Sequence, residues 1–296
     1  MDIRPRRSLL YMPGINARAH EKARTLPADG LIFDLEDSVA PEEKQNARAR
    51  INDTVKAAGF GAREIAVRIN GLDSPFWRDD LASLAKLPLD AIVLPKVSVA
   101  TDIAKVSAAM REAGVASSTR LWVMIETPRA VIDIASIAAC AADGSSPLSL
   151  FILGTNDIAR ETHAKMIKGR APMLSWISQC VLAARAYGLS ILDSVYNDIR
   201  DIDGFRAECE QGRDLGMDGK TVIHPAQIGP ANEIFAPPAQ EIEDSQKIVA
   251  AFELPETAAK GVINLEGRMV ERLHLEMARR ILSISAAISS AANSAR

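Results

Sequence analysis

Short apolar runs alternate with longer, helix-compatible segments along most of the chain. Eight runs occur, at residues 8–12, 30–33, 64–69, 91–94, 121–125, 150–153, 190–192 and 219–223. An apolar run that ends at a breaker or a polar residue is typical of a strand buried on both faces. Alternation of such strands with helices predicts a parallel sheet, and eight repeats predict a (β/α)8 or TIM barrel.

The segments between the runs are rich in good helix formers, notably residues 17–26, 41–58, 99–113, 130–142 and 173–187. Residues 225–235 predict one more helix, which Pro237 and Pro238 end. Beyond them we expect a helix over 239–252, an extended piece over 261–265 and a helix over 266–290. The prediction is therefore a catalytic barrel over 1–238 and a C-terminal helical lid or oligomerisation segment over 239–296. A simple packing extension is the alternative for the second part.

Composition narrows the functional class. Hydrophobic residues make up 48% of the 296 residues and charged residues 25%, which provides a sizeable core. The formal net charge of −3 argues against bulk binding of nucleic acid. Three isolated cysteines suggest neither a disulfide framework nor a cysteine metal site. No run approaches the roughly 18 apolar residues of a membrane span, so we expect a cytoplasmic protein that binds neither membrane nor nucleic acid.

Polar residues follow almost every run, among them Asp34, Arg68, Lys96, Glu126, Asp157, Asp193 and His224. In a barrel the carboxyl ends of all strands meet on one face, where catalytic loops lie. Glu126 and Asp157 follow successive runs and predict a site for a hard divalent cation. The alternative is that Glu126 caps a helix and Asp157 is an ordinary turn residue.

Arg68 and Lys96 allow two interpretations each. A buried arginine requires an anionic ligand or partner, so Arg68 binds a substrate anion or pairs with Glu36 or Asp37. Lys96 could be an amine nucleophile that forms a Schiff base, a chemistry that needs no cation. Because the two acidic strand ends favour a cation, the Schiff base is the second choice.

Arg18 and Lys22 stand four residues apart on a predicted helix, which places both cations on one face. They would suit the phosphate groups of a ligand, although a solvated basic face is the commoner outcome. His224 precedes Pro225, and we interpret it as an orienting residue rather than a metal ligand.

Nine short motifs occur in order between residue 6 and about residue 275. They are RSLLYMPG (7–14), DLED (34–37), VRIN (67–70), LPKV (94–97), IET (125–127), GTND (154–157), GK (219–220), IHPAQ (223–227) and GRMVE (267–271). Each is weak alone, but the ordered set is specific. Together they resemble the citrate lyase β-subunit-like family of acyl-CoA lyases in the HpcH/HpaI aldolase superfamily, which includes malyl-CoA, citramalyl-CoA and β-methylmalyl-CoA lyases.

The resemblance implies a barrel with a C-terminal lid, assembled as a homotrimer or hexamer, that acts on an acyl-CoA thioester. It implies Mg²⁺, or Mn²⁺ in its place, bound by Glu126 and Asp157. Arg68 would contact the carboxyl or thioester oxygen of the substrate. Coenzyme A would contact Tyr11, Arg18 and Lys22. Supporting roles around Arg68, the cation and the cavity would fall to Glu36, Asp37, Asn156 and His224.

The motif at 267–271 departs from the family pattern. Lyases of the family carry a catalytic aspartate in Gly-x-Met-Ile-Asp, whereas this chain has Glu271. Its carboxylate lies one methylene, roughly 1.5 Å, further out, and a misplacement of about 1 Å can impair catalysis. Glu271 remains the implied acid/base.

The implied reaction is a reversible Claisen-type cleavage of a malyl-CoA, citramalyl-CoA or citryl-CoA type of 3-hydroxyacyl-CoA. Its products are acetyl-CoA or propionyl-CoA and a 2-oxoacid. We expect Arg68 to offset the charge of the enolate. The alternatives are a (3S)-malyl-CoA thioesterase, a metal-dependent 2-oxoacid aldolase on free acids, and an accessory subunit of a citrate lyase complex.

Overall fold

The computed structural model describes residues 4–294. The contacts between residues divide the chain into two compact units, Arg6–Glu233 and a C-terminal unit that begins at Ile234. The separate roles expected for residues 1–238 and 239–296 stay a prediction.

The first unit is a closed barrel of eight parallel strands arranged in sequence order, with β1 next to β8. The TIM barrel prediction is confirmed. The strands are β1 Ser8–Pro13, β2 Gly30–Asp34, β3 Glu64–Arg68, β4 Ala91–Leu94, β5 Arg120–Ile125, β6 Leu148–Leu153, β7 Ser190–Asp193 and β8 Gly219–Val222.

Helices return the chain between the strands. They are α1 Ala17–Ala23, α2 Lys44–Lys56, α3 Trp77–Leu84, α4 Ala100–Ala113, α5 Pro128–Ile132, α6 Ile134–Ala139, α7 Thr155–Thr162, α8 Leu174–Ala186, α9 Ile202–Asp214 and α10 Ile228–Ile234. The helix-forming segment 130–142 contains two α-helices, because Asp133 leaves the helical conformation and separates α5 from α6. None of the helices in the described part of the chain is long and apolar enough to cross a membrane.

The interior of the barrel is packed with side chains from every second strand position. A buried cluster fills it, formed by Leu9, Ile32, Ala66, Ala91, Val93, Trp122, Met124, Leu150, Ile152 and Leu192. At the amino ends of the strands, Arg6 donates to both carboxylate oxygens of Glu64 and to Ser190 Oγ. The arginine also lies over the ring of Trp122, 5.6 Å from its centroid. A charged group thus ends the apolar interior at this side, and the opposite side is left for a cavity.

Strand register decides which strand ends become neighbours. Asp34 is paired with Arg68 across β2 and β3, at the last position of each strand. Ile125 is paired with Leu153 across β5 and β6. The residues that follow these strands, Glu126 and Gly154, are therefore neighbours as well.

The C-terminal unit contains α11 Ala239–Glu253, the antiparallel strands β9 Val262–Leu265 and β10 Arg268–Glu271, and α12 Arg272–Ser294. The expected C-terminal helical extension is present. The helix predicted over 266–290 is present but begins at Arg272 rather than at 266, because Glu266 and Gly267 adopt φ of 51° and 82° and form a hairpin turn. Asn264 Oδ1 supports this turn by accepting from the amide of Gly267 at 2.9 Å.

Candidate active site

A cavity of about 410 Å³ opens at the carboxyl ends of the barrel strands. Six residues that the sequence singled out line it, namely Tyr11, Asp37, Arg68, Glu126, Asn156 and Asp157. A larger surface groove, about 560 Å³, lies between α1 and α2 and is lined by none of the predicted site residues. The strand-end cavity is therefore the candidate active site.

Glu126 follows β5 and is 1% exposed. Its Oε1 accepts a hydrogen bond from the backbone amide of Lys96 at 2.7 Å. The close approach of the next strand end requires glycine at 154, since a Cβ there would meet the Glu126 side chain. The prediction that Glu126 caps a helix is wrong, because Thr127 caps α5 by accepting from the amide of Ala130 at 3.0 Å.

The environment of Glu126 disfavours its charge. Burial, reinforced by the nearby negative charges of Glu36 and Asp157, raises the pKa of Glu126 to about 8, although the Lys96 amide and Arg68 act in the opposite direction. A carboxylate in such surroundings ionises readily only where a cation offsets its charge. The site is therefore suited to a positive ligand.

Asp157 lies in the first turn of α7 rather than in a turn between elements, so the alternative interpretation is wrong. It is half-buried and lies 2.9 Å from Arg160 Nη2. Among the described residues, no group of three or more His, Cys, Asp and Glu side chains could hold a metal. The carboxylates of Glu126 and Asp157 nevertheless fit a hard divalent cation, which favours oxygen ligands and can take water and substrate at its other coordination positions.

Arg68 ends β3 and is almost fully buried. It forms a bidentate pair with Asp34, with Nε–Oδ1 at 2.7 Å and Nη2–Oδ2 at 2.8 Å. Its Nη1 lies 3.0 Å from Glu36 Oε2 and 3.7 Å from Asp37 Oδ2. Burial would raise the pKa of Asp34, but the charge of Arg68 outweighs it and holds this pKa below its ordinary value.

The ion pairs expected from Arg68 to Glu36 or Asp37 are thus secondary to Asp34. The sequence analysis assigned no role to this aspartate. The strand-end positions of Asp34 and Arg68 on consecutive strands were the available signal, since adjacent parallel strands bring such ends together.

Tyr11 lies inside the barrel and is associated with Arg68. The guanidinium carbon of Arg68 lies 5.0 Å from the centre of the tyrosine ring, and the Tyr11 hydroxyl lies 3.6 Å from Met124 Sδ. Burial raises the pKa of Tyr11 well above its ordinary value. The phenol therefore stays neutral and can donate to a ligand in the cavity.

Arg18 and Lys22 lie elsewhere on the barrel unit. Both are exposed on α1, and neither lines the cavity. The structure therefore separates them from Tyr11, with which the resemblance groups them. Their contact with coenzyme A stays a prediction.

Lys96 does not have the environment of a Schiff-base lysine. Its Nζ lies 2.6 Å from Glu36 Oε1. Burial acts to lower the pKa of Lys96, but the hydrogen bond and charge of Glu36 outweigh it and raise this pKa above its ordinary value. An amine nucleophile must be neutral to attack a carbonyl, so the second-choice chemistry lacks support.

Lys44 is a supporting residue that the sequence analysis missed. Its buried Nζ donates to the carbonyl oxygens of Leu35 and Glu36, both at 2.7 Å. These contacts hold the loop that carries Glu36 and Asp37. Nothing in the local pattern distinguishes Lys44 from the exposed lysines of other helices.

The other predicted supporting residues differ in position. Asn156 exchanges two amide hydrogen bonds with Asn197, at 3.1 and 2.8 Å, and both residues line the cavity. Asp37 is exposed at the rim. His224 Nδ1 accepts from the amide of Ala226 at 3.2 Å and so caps a short 3₁₀ turn. It is not among the lining residues, which fits an orienting role better than a ligating one.

Two further strand-end carboxylates have other surroundings. Asp193 is fully buried and paired with Arg170 at 2.6 Å and Lys220 at 3.0 Å, which is a packing role. Glu271 belongs to the C-terminal unit, where it ends β10, and its amide donates to His274 Nδ1 at 3.0 Å. Its acid/base role stays a prediction.

The fold and the cavity define a class of barrel protein whose strand ends carry carboxylates and a buried arginine around one cavity. The model of the HpcH/HpaI aldolase/citrate lyase family matches residues 7–225. The chain belongs to this family, and the resemblance found in its motifs is confirmed.

Relatives refine the comparison. A (3S)-malyl-CoA thioesterase of Cereibacter sphaeroides (strain ATCC 17025 / ATH 2.4.3) is 45% identical over 284 residues, which cover 96% of each chain. An L-malyl-CoA/beta-methylmalyl-CoA lyase of the same strain is 32% identical over 300 residues, with 94% of each chain covered. A solved structure of CitE from Mycobacterium tuberculosis, in complex with magnesium, acetoacetate and coenzyme A, is 26% identical with a TM-score of 0.73 and covers 95% of this chain and 98% of that one.

Proposed function

We propose that this protein is a Mg²⁺-dependent thioesterase that hydrolyses a malyl-CoA type of 3-hydroxyacyl-CoA to the free hydroxyacid and coenzyme A. The observation that carries the proposal is the 45% identity to a (3S)-malyl-CoA thioesterase across 96% of both chains. The lyase relative is less similar, at 32% identity. Glu271 stands in place of the aspartate expected of lyases, and this departure from the lyase pattern also favours the thioesterase.

Mg²⁺ would be held by Glu126 and Asp157, as the buried, cation-seeking environment of Glu126 supports. Bound there, the ion would supply Lewis-acid polarisation of an acyl oxygen. Magnesium in the solved CitE complex supports this choice of ion. The surroundings of Glu126 support the proposal independently, because burial beside Glu36 and Asp157 favours a cation whenever this carboxyl is ionised.

Hydrolysis joins a water oxygen to the thioester carbon and breaks the carbon–sulfur bond. Negative charge develops on the thioester oxygen during the attack. Arg68 is oriented in advance by Asp34 and would offset this charge without reorganising. The neutral phenol of Tyr11, beside the guanidinium, could donate to the same oxygen. One water proton ends on the departing sulfur, which leaves as the coenzyme A thiol, and the other is released when the new acid ionises.

The reversible lyase reaction is the second candidate. It is favoured by the 32% identity to an L-malyl-CoA/beta-methylmalyl-CoA lyase and by the presence of a carboxylate, Glu271, in the lid motif. In that reaction Arg68 would offset the charge of an enolate, and Glu271 would exchange the proton at the enolate carbon. Assembly into a homotrimer or hexamer also stays a prediction.

A product assay distinguishes the candidates. The protein is incubated with (3S)-malyl-CoA and Mg²⁺, and free thiol, acetyl-CoA and glyoxylate are measured together. The proposal predicts thiol release without acetyl-CoA or glyoxylate. Equal amounts of acetyl-CoA and glyoxylate would identify the lyase. Turnover of free malate alone would identify an aldolase, and inactivity of the folded protein without a citrate lyase partner would indicate an accessory subunit.

Two variants test the cation site in the same assay. Glu126→Gln and Asp157→Asn should each reduce turnover at least about a hundredfold, since metal-polarised chemistry contributes several kcal/mol. Glu112→Gln is the matched control, because Glu112 is exposed on α4 and lines no part of the cavity. Full activity of either site variant, or of the wild type in excess chelator, would contradict the proposal.

A further inference from the structure

Lys96 contacts two carboxylates through two different parts of the residue. Its backbone amide donates to Glu126 Oε1 at 2.7 Å. Its ammonium donates to Glu36 Oε1 at 2.6 Å and lies 3.8 Å from Asp37 Oδ1. Both contacts follow from the position of Lys96, two residues after the end of β4.

The backbone of Lys96 is in the left-handed region, with φ of 54°. Residues with a Cβ adopt this conformation at a steric cost, which surrounding contacts can offset. In the structure, the amide hydrogen bond and the ammonium hydrogen bond are those contacts. The conformation of Lys96 and the direction of its amide are thus linked to its side-chain pair.

Glu36 continues this arrangement on the other side. It is almost fully buried, with Oε1 bound to Lys96 and Oε2 lying 3.0 Å from Arg68 Nη1. Lys44 Nζ also holds the backbone of Glu36, by donating to its carbonyl oxygen at 2.7 Å. Glu36 is therefore held by contacts on its backbone and its side chain, and it can serve as the anchor for the ammonium of Lys96.

We propose that Lys96 is a positioning residue: its ammonium, anchored on Glu36, holds the left-handed conformation that directs its amide to Glu126 and so presets the carboxylate for the cation. The inference rests on the proposed function for the identity of the cation site. It concerns no contact of Lys96 with substrate.

Two variants separate the backbone from the charge. Lys96→Ala and Lys96→Gly both lack the ammonium, so the change in charge cancels between them. Alanine keeps the steric cost of the left-handed conformation and has no side-chain anchor to offset it, whereas glycine adopts this conformation without steric penalty. We expect the Lys96→Ala protein to bind Mn²⁺ about tenfold more weakly than the Lys96→Gly protein, which corresponds to about 1.4 kcal/mol. Lys96→Arg, which retains a cation for Glu36, should remain within about threefold of wild type.

The probe is Mn²⁺ alone, titrated into the full-length chain by calorimetry or electron paramagnetic resonance with no CoA thioester present. If Lys96→Ala fails to fold, Lys96→Gln takes its place, because it also carries a Cβ and no charge. Ala58→Gly is the matched control. Ala58 has the same left-handed φ, 53°, and is exposed outside the cavity, so its replacement should leave Mn²⁺ affinity unchanged.

The outcomes are distinguishable. Equal Mn²⁺ affinity of the Lys96→Ala and Lys96→Gly proteins would overturn the inference and leave the cation site intact. A wild type that does not bind Mn²⁺ would overturn the cation site, and this inference with it. Because no thioester is present, the result does not depend on whether the protein is a thioesterase or a lyase.

Discussion

Replacement of Glu126 by glutamine should change the pH dependence of stability in the absence of a cation. The native carboxyl has a pKa of about 8, against an ordinary value of 4.5, mainly because it is buried. Between these values the unfolded chain releases its proton while the native protein retains it. Stability is therefore highest below the lower value and is lost as pH rises toward the upper one.

The size of the effect follows from the interval. Each pH unit across it corresponds to about 1.4 kcal/mol, so the full loss is on the order of 5 kcal/mol. Glutamine cannot ionise and keeps the acceptor for the Lys96 amide, so it should remove this loss. Other titrating groups, such as buried His20, are the same in both proteins and cancel in the difference between them.

The assay is urea unfolding of the wild type and the Glu126→Gln protein in chelator, from about pH 5 to about pH 8. The stability of wild type relative to the variant should decline across this range. Saturating Mg²⁺ should restore the stability of the wild type, and the gain should be largest at the alkaline end of the range, since a bound ligand stabilises the native state that binds it. Glu112→Gln, on the exposed surface, should show neither change.

Parallel stability curves for wild type and the Glu126→Gln protein would refute the reasoning. They would mean that water or a mobile neighbour solvates the Glu126 carboxylate in solution. The buried environment would then give no reason for a cation at this strand end.

Two further predictions concern the arginine and the helix α1. Asp34→Ala removes the bidentate partner of buried Arg68 and should lower the free energy of unfolding by about 3 kcal/mol, whereas Asp34→Asn should lower it less. Urea denaturation measures both changes. A loss below about 1 kcal/mol for Asp34→Ala would show that Glu36 suffices as the partner of Arg68. Combined Arg18→Ala and Lys22→Ala should raise the KM for malyl-CoA severalfold with kcat retained, and should leave the malyl-pantetheine thioester unaffected; an equal effect on both thioesters would exclude phosphate contacts.

The barrel was predictable because its signal is local and repeated. Each strand is a short apolar run with a polar end, and the closure of eight such units follows from general packing rules. The same rule placed Glu126 and Asp157 on one face. It could not tell which strand-end carboxylates belong to the cavity. Asp193 occupies the same kind of position but forms buried ion pairs with Arg170 and Lys220 instead.

The features that the sequence did not predict depend on backbone conformation and strand register rather than on the position of a residue along the chain. The role proposed for Lys96 depends on a left-handed φ, which no neighbouring glycine or asparagine indicates in the sequence. The partner of Arg68 follows from register across β2 and β3. In the C-terminal unit, good helix formers around residue 266 concealed a hairpin whose turn requires positive φ at two successive positions. Long-range and backbone-conformational information of this kind is absent from a single apolar pattern.

The two candidate reactions make the same demand on the barrel and differ elsewhere. Attack of water on a thioester and release of an enolate both place negative charge on the thioester oxygen, which Arg68 and a cation would stabilise equally well. The strand-end residues therefore cannot discriminate hydrolysis from cleavage. The choice depends on which atom meets a base: a water hydrogen for the thioesterase, or the substrate hydroxyl and enolate carbon for the lyase. Under the acid/base role that the resemblance implies for Glu271, a side chain one methylene longer than aspartate would alter this step alone. Replacement of Glu271 by aspartate is therefore the substitution expected to shift the ratio of thiol to acetyl-CoA.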